Sequence, residues 1–313
     1  MIFRQAGHFL AAIVLVGSAV VGCSGPQPNA MLIHPAYRSS PASPVPIQNI
    51  LLYAGGNRES YVLSYSDGTL VGTIDRPSFG VCSDSNGNVY MTGVGSVAEF
   101  AYGQTTPFAT ANVPGTAYSC SVDPTTGDLA VVVFCTSGCT DEVAIFPSLA
   151  SPPQFYQTSA LTQMLFCGYD AGGNLFVDGY AKQHFGLVEL PAGGSTFSPI
   201  SVSQSINVPG QVQWVDQYLT VEDAYNPVIY RFSISGSAAT TVGRTQLYSI
   251  GRRAGQSWIG QGMVVVPTGR NSKRATALGA WLYPHGGKRL NVIKGFLTMH
   301  KQITGVAITT PPS

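Results

Sequence analysis

The chain has 313 residues and a formal net charge of +1, with 44% hydrophobic and only 10% charged residues. So low a charged fraction argues against an ordinary cytosolic protein. The 36 glycines and 21 prolines suit a fold with many tight turns.

The N-terminus has the features of a targeting segment. Arg4 provides a positive charge, residues 9–21 are apolar, and the run ends in V-V-G-C at Cys23. The apolar run is too short for a permanent membrane-spanning helix. A small residue followed by cysteine resembles a bacterial lipobox, which implies a signal peptide over residues 1–22, cleavage before Cys23 and attachment of lipid to its sulfur. The alternative is an ordinary secretory signal in which Cys23 is incidental.

The next segment predicts a lipidated tether over residues 23–48, because it carries six prolines and little that could form a core. The residue after Cys23 is Ser24 rather than aspartate, which in enterobacteria-like sorting favours the outer membrane. We therefore expect a lipid-anchored protein of the bacterial cell envelope, at the outer membrane or cell surface. The membrane, reached through the lipid, is its first expected partner.

Residues 49–313 repeat one short pattern six times. An alternating apolar run closes on an aromatic residue or leucine, and a small residue or proline follows. Successive copies are 35 to 51 residues apart, which is the period of a four-stranded propeller blade. The closing residues are Tyr65, Phe100, Phe146, Leu190, Phe232 and Tyr283.

Residues 80–91 show the repeated unit, in which a strand, an Asp/Asn/Gly turn and a second strand follow one another. Similar turns begin at Asp123 and Asp170. This GV-x-x-D-x-x-GN-[VL]-[YF]-[VM] pattern resembles the NHL-repeat propellers and related bacterial surface lipoproteins. The resemblance covers about residues 49–308 and implies an all-β propeller. It says little about function, because propellers include hydrolases, oxidoreductases and binding modules.

The two ends of the repeat region predict how the ring closes. Residues 49–53 correspond to the second strand of a blade, and the missing first strand matches residues 303–308, which align with 78–83. We predict a six-bladed β-propeller closed by a C-terminal strand that completes the first blade, so that no sheet edge is left open.

Five cysteines remain after Cys23. Cys135 and Cys139 bracket a short loop, where an oxidising compartment favours a disulfide over half of a metal site. Cys82, Cys120 and Cys167 lie in predicted innermost strands, and we expect them to be buried apolar thiols. A second bridge among these three is the less favoured alternative.

No residues predict a catalytic centre, a metal site or a cofactor. The turn residues Asp84, Asp123 and Asp170 are expected to cap their own turns rather than to bind calcium. Gluconolactonase-like propellers hold a divalent metal in the central pore through acid and amide groups. The candidates for such a site are Asp178, Glu222, Asp223 and Asn226. They come from only two neighbouring blades, which is a poor match to a metal site that surrounds the pore.

Charge is divided unevenly along the chain. Residues 224–313 contain eleven Lys/Arg and no Asp/Glu, whereas residues 24–223 contain four Lys/Arg and fifteen Asp/Glu. In a ring this division predicts a basic rim that contacts an anionic envelope component or a protein partner. A solvated face without a ligand is the alternative, and nucleic acid is not expected because export removes that target. The rim candidates are Arg252, Arg253, Arg270, Lys273 and Arg274.

The leading hypothesis is therefore a membrane-tethered, non-enzymatic binding module. The alternatives are a lactonase-like, metal-dependent propeller hydrolase and a purely structural envelope lipoprotein.

Overall fold

The computed structural model of the chain describes residues 49–135, 139–250, 255–269, 275–294 and 302–312. These residues form 23 β-strands and, within the described ranges, no α-helix. No helix capable of crossing a bilayer is therefore found in them.

The strands are short, and most are separated by tight turns. In chain order they are β1 (Leu51–Gly56), β2 (Ser60–Ser64), β3 (Leu70–Ile74), β4 (Val81–Ser83), β5 (Val89–Phe100), β6 (Ala109–Val122), β7 (Leu129–Phe134), β8 (Glu142–Phe146), β9 (Gln154–Tyr156), β10 (Gln163–Tyr169), β11 (Leu175–Ala181), β12 (His184–Leu190), β13 (Ser198–Pro199), β14 (Ser201–Val202), β15 (Pro209–Val215), β16 (Tyr218–Asp223), β17 (Val228–Ser235), β18 (Ala238–Gln246), β19 (Trp258–Gly260), β20 (Met263–Thr268), β21 (Ala277–Leu282), β22 (Asn291–Ile293) and β23 (Ile303–Thr309).

The described strands form five sheets that contain six blades. Blade 1 has the order β23-β1-β2-β3, blade 4 is β10 to β13, blade 5 is β15 to β18 with β14 added alongside β18, and blade 6 is β19 to β22. The six-stranded sheet from β4 to β9 contains blades 2 and 3. The first part of β5 pairs with β4 and its second part with the start of β6, while the rest of β6 pairs with β7. Gly95, with φ 69°, lies where the two parts of β5 meet.

The blades form a closed ring. The innermost strands β23, β4, β6, β10, β15 and β19 contact one another in that order, and β19 contacts β23 again. Strand β23 pairs antiparallel with β1, with Leu51 opposite Thr309 and Gly55 opposite Gly305. The predictions of a propeller and of a C-terminal strand that completes the first blade are confirmed.

The core is divided among the blade interfaces, because each sheet is buried on both faces. In β1, Leu51 and Tyr53 pack towards blade 2, whereas Leu52 and Ala54 pack towards blade 6. Four further clusters fill the remaining interfaces in the same way. Burial on both faces explains why second strands such as β1 and β7 are continuous apolar runs, since alternation is expected only where one face meets water.

Each junction between neighbouring innermost strands also carries a specific link near the central channel. The links run from blade to blade through hydroxyl, amide, carboxyl and disulfide groups. In ring order they are Thr304 Oγ1 to Ser78 O, the Cys82–Cys120 disulfide, Ser119 Oγ to Leu165 O, the Asp178 carboxyl to Gly210 N, the Gln213 amide to Ile259 N and O, and Gln256 N to Thr304 O.

Candidate functional site

The central channel has two chemically different ends. The end at which first and second strands are joined by the Asp-containing turns is here called the turn face. The opposite end, where the innermost strands begin and the second and third strands are joined, is called the loop face. Different side chains surround the channel at each end.

Three aromatic residues form an arc around the channel at the loop face. Phe79 precedes β4, Tyr118 lies in β6 and Phe166 lies in β10, so blades 2, 3 and 4 contribute one ring each. The Phe79 and Tyr118 rings are stacked with centroids 6.3 Å apart, and Tyr118 meets Phe166 edge-on at 5.5 Å. Phe79 remains 39% exposed, and the other two are half-buried. This aromatic arc offers ring surface to solvent on a rigid scaffold.

Exposed apolar residues also lie at the loop face, between second and third strands. Val94, between the two parts of β5, is 75% exposed, and Tyr225, between β16 and β17, is 56% exposed. Isolated exposed apolar residues are ordinary, but aromatic residues around a channel mouth are typical of contact surfaces.

Two carboxyl groups lie beneath this face. Asp178 of β11 and Glu222 of β16 are 0% and 1% exposed. Each sits opposite a β-bulge in the innermost strand of its own blade, and each accepts a hydrogen bond from a bulge amide. Phe166 N donates to Asp178 Oδ1 at 3.0 Å, and Gln211 N donates to the Glu222 carboxyl. A bulge leaves an amide unpaired by the sheet ladder, so an acceptor on the second strand satisfies it.

Burial is the main cause of the raised pKa values of Asp178 and Glu222. Desolvation raises the pKa of Glu222 to about 7, and a hydrogen bond of 2.7 Å from Ser257 Oγ opposes the rise. Desolvation also raises the pKa of Asp178 well above its ordinary value, and the charge of Glu222 adds to the effect. No basic side chain is among the causes for either group, so nothing described compensates their charge.

The pore candidates do not form a metal centre in the described part of the chain. Asp178 and Glu222 link blades instead, and no group of three His, Cys, Asp or Glu side chains there is arranged to hold a metal ion. Asp223 caps the turn between β16 and β17, since its carboxyl accepts from Tyr225 N at 3.0 Å, and it also accepts from Asn207 N, before β15, at 3.1 Å. The Asn226 side chain donates to the same carboxyl at 3.3 Å.

The turn aspartates cap their turns as predicted. Asp170 Oδ1 accepts from Gly172 N at 2.8 Å and from Asn174 N at 2.9 Å. Asp84 makes the equivalent bonds, and Asp123 accepts from Thr125 N at 2.7 Å. The turn glycine in each has φ of 83° or 84°, a conformation that only glycine adopts freely.

The cysteines confirm one prediction and correct another. Cys135 and Cys139 form the predicted disulfide between β7 and β8. Cys82 and Cys120 were expected to be buried thiols, but they form a second disulfide between blades 2 and 3. Cys167 is a buried free thiol, as expected.

The remaining sequence candidates lie outside the described residues. These are the lipidation candidate Cys23, with the signal and tether, and the basic rim candidates. The rim candidates are Arg252, Arg253, Arg270, Lys273 and Arg274.

Sequence reasoning missed the aromatic arc. Tyr118 and Phe79 both lie five residues before their turn aspartates, but Phe166 lies four before Asp170. The three rings therefore do not align in the repeat. Their aromatic character near the start of each innermost strand was the available signal.

Comparison with known proteins shows the fold. No protein-family model and no curated protein matches the chain. A solved chain of the nidogen/laminin complex is similar with a TM-score of 0.67 and 11% identity, covering 84% of this chain and all of that one. A protein of unknown function from Bacteroides caccae has a TM-score of 0.64 and 11% identity, covering 83% of this chain and 99% of that one. The β-propeller domain of Cps50 (Swd1) from Myceliophteria thermophila has a TM-score of 0.55 and 11% identity, covering 79% and 82%.

Proposed function

We propose that the protein is a membrane-tethered propeller of the bacterial cell envelope that binds a partner at its loop face and catalyses no reaction. The lipid on Cys23 holds it at the outer membrane or cell surface, and the proline-rich segment gives the ring reach. The partner is an anionic envelope component or a protein with an acidic surface.

The observation that carries this proposal is the aromatic arc. Aromatic side chains bury much area at little entropic cost, and they concentrate binding energy when a partner covers them. Phe79 is the most exposed ring of the three, at 39%. The carboxyl groups below the arc serve the fold through one oxygen each, because Asp178 Oδ1 accepts from Phe166 N and Glu222 Oε2 accepts from Ser257 Oγ. Their second oxygens have no hydrogen-bond partner among the described residues.

A matched pair of variants tests the binding face. Phe79→Ala removes a ring at the channel mouth, while Phe155→Ala removes one of similar exposure, 44%, from the outer strand β9. Crosslinking in the native envelope should capture a partner with the parent and with Phe155→Ala, and at least several-fold less with Phe79→Ala. Equal capture by both variants would show that the partner does not meet the loop face.

The tether is tested by Cys23→Ala. Loss of the acylated sulfur removes the anchor, and each buried methylene contributes about 0.8 kcal/mol to membrane binding. The variant should appear in the soluble exported fraction while the parent stays with the membranes. A variant that still pellets and resists washing without detergent contradicts the lipid anchor.

The acidic character of the partner rests on the eleven Lys/Arg and the absence of Asp/Glu in residues 224–313. Reversing Arg270, Lys273 and Arg274 to glutamate should weaken binding to anionic vesicles or polysaccharide. What remains should depend less on salt, because attraction between exposed charges is screened beyond ~8 Å at physiological ionic strength. Unchanged binding at low salt would remove these residues from the interface.

A further inference from the structure

A cavity of about 280 Å³ opens at the turn face, at the opposite end of the channel from the aromatic arc. Blades 2 to 6 all contribute to its wall through their innermost strands. The volume is just below the range of about 300 to 1,000 Å³ that is usual for ligand pockets. It suits one small ring-shaped molecule rather than an extended chain.

Three aromatic residues are part of the wall of this turn-face cavity. Trp214 of β15 and Trp258 of β19 are two of the three tryptophans in the chain, and Tyr169 of β10 joins them. Trp258 packs against three of the core clusters and Trp214 against a fourth, so both rings are held in place before a ligand arrives. A preorganised wall loses little side-chain entropy on binding.

The polar groups of the wall include both donors and acceptors. Ser121 Oγ accepts from Tyr169 N at 3.1 Å, which leaves its hydroxyl hydrogen free to donate. Ser83 donates to Ile308 O at 3.0 Å, which leaves its lone pairs free to accept.

Two further wall atoms lack partners. Gln211 is only 5% exposed, and its Nε2 donates to Val212 O at 2.9 Å, whereas its Oε1 has no hydrogen-bond partner among the described residues. The Trp214 indole N–H also has none among them. Buried groups of this kind are uncommon and call for a ligand or an ordered water.

Charge is nearly absent from the cavity. Asp170 is the only charged residue among the described lining residues, and its carboxyl is already engaged by the amides of its own turn. An ammonium ligand would need acceptors alone, and an anion would need donors alone. Donors mixed with acceptors match hydroxyl groups, which act as both, and indole faces match the C–H surface of a sugar ring, because the ring face is negative and C–H edges are positive.

We infer that the turn-face cavity binds one neutral pyranose unit of a saccharide. The C–H face of the sugar lies against the tryptophans, and its hydroxyl groups reach Gln211, Ser121 and Ser83. This site does not depend on the proposed partner at the loop face.

Tryptophan fluorescence reports directly on this cavity. The full chain, in a detergent without a sugar headgroup, is titrated with methyl glycosides of glucose, galactose and mannose up to tens of millimolar. Glucosamine and glucuronic acid serve as the charged counterparts. At least one neutral glycoside should change the emission and saturate, and neither charged sugar should bind more tightly than it does.

Three variants locate the site. Gln211→Leu keeps the side-chain volume and removes the unpartnered acceptor, and it should weaken binding roughly tenfold, as expected for the loss of one buried hydrogen bond. Trp214→Leu should abolish most of the emission change. Trp281→Phe is the matched control, because Trp281 is fully buried outside the cavity, and it should retain the response.

The outcomes separate this inference from the proposed function. Phe79→Ala should leave the glycoside titration unchanged, since Phe79 lies at the other end of the channel. The inference is overturned if no neutral glycoside changes the emission of the folded parent, if a charged sugar binds more tightly, or if Gln211→Leu and Trp214→Leu, folded by circular dichroism, bind as the parent does.

Discussion

Two parts of the ring, blades 2 and 3 on one side and blades 4, 5 and 6 on the other, are linked around the channel by different chemical groups. Between blades 2 and 3 the link is covalent, a disulfide joining residues 38 apart in sequence. Between blades 4, 5 and 6 the links are buried carboxyl groups, with Asp178 bonded to Gly210 N and Glu222 to Ser257 Oγ. The first link responds to redox conditions and the second to protonation. A closed ring can therefore be loosened on one side without chemical change on the other.

Removing the closing strand should have the largest effect, because it opens the ring between the two sides. Deletion of residues 303–313 takes β23 away from β1 and exposes the edge of blade 1. We expect loss of cooperative unfolding and aggregation, measured by thermal melting and light scattering. Deleting only residues 311–313, beyond the strand, is the control and should melt like the parent. A full deletion that melts like the parent would show that β23 does not close the ring.

The disulfide side is tested next. Replacing Cys82 and Cys120 together by alanine should cost roughly 4 kcal/mol of unfolding free energy in denaturant titrations, since the bond closes a long loop. Replacing Cys135 and Cys139, which lie four residues apart, should cost about 2 kcal/mol by the same relation. Equal losses from the two pairs would mean that chain entropy is not what the inter-blade bond constrains.

The Cys82–Cys120 bond was within reach of the sequence. Cys120 and Cys167 both lie three residues before their turn aspartates, whereas Cys82 lies two before Asp84. Since side chains alternate along a strand, a difference of one residue places Cys82 and Cys120 on opposite faces of their sheets. Opposite faces of neighbouring blades pack together, so these two cysteines meet. Cys120 and Cys167 occupy the same face and cannot meet, which their matching position in the repeat concealed.

The fold itself was predictable, because the blade period, the turn chemistry and the displaced first strand all depend on local sequence. The candidate site was less so. Phe166 and Asp178 acquire their positions from a bulge in β10, and Gln211 and Glu222 from a bulge in β15. A bulge adds residues to one strand without a sequence marker of its own here, so the contents of the channel could not be assigned by counting.

The carboxyl side should make stability depend on pH. The folded pKa of Glu222, about 7, lies above its ordinary value of 4.5, so the folded state binds the extra proton between these values. Stability from this group is therefore present at pH 5 and is lost as pH rises through 7, by about 3 kcal/mol if the full shift is realised. Asp178 acts in the same direction. Denaturant titrations of the parent from pH 5 to 8 should show this fall, and Glu222→Gln should remove the part of it that Glu222 contributes.

A second variant sharpens the test on this side. The Ser257 hydroxyl lowers the pKa of Glu222, so Ser257→Ala should raise that pKa further and extend the loss of stability to higher pH. The Cys82/Cys120 double variant should keep the slope of the parent, because its bond does not titrate. A parent profile that is flat between pH 5 and 8 would contradict the buried, uncompensated carboxyl pair.

The smallest effect concerns a turn that occurs on both sides of the ring. Asp84 in blade 2 and Asp170 in blade 4 accept the same three hydrogen bonds, from two backbone amides and the side chain of an asparagine four residues on. Truncating either to alanine should cost on the order of 1 to 2 kcal/mol, because two amides lose their acceptor in a partly exposed turn. Asparagine at either position keeps an acceptor and should recover most of the loss. Because the local chemistry is the same, unequal losses measured by denaturant titration would show that the disulfide and carboxyl sides transmit a local defect differently. Added calcium or chelator should change none of these values, since the carboxyl oxygens bind the amides of the turn. If calcium raised the melting temperature of the parent but not that of Asp84→Ala, Asp84 would be a metal ligand instead of a cap.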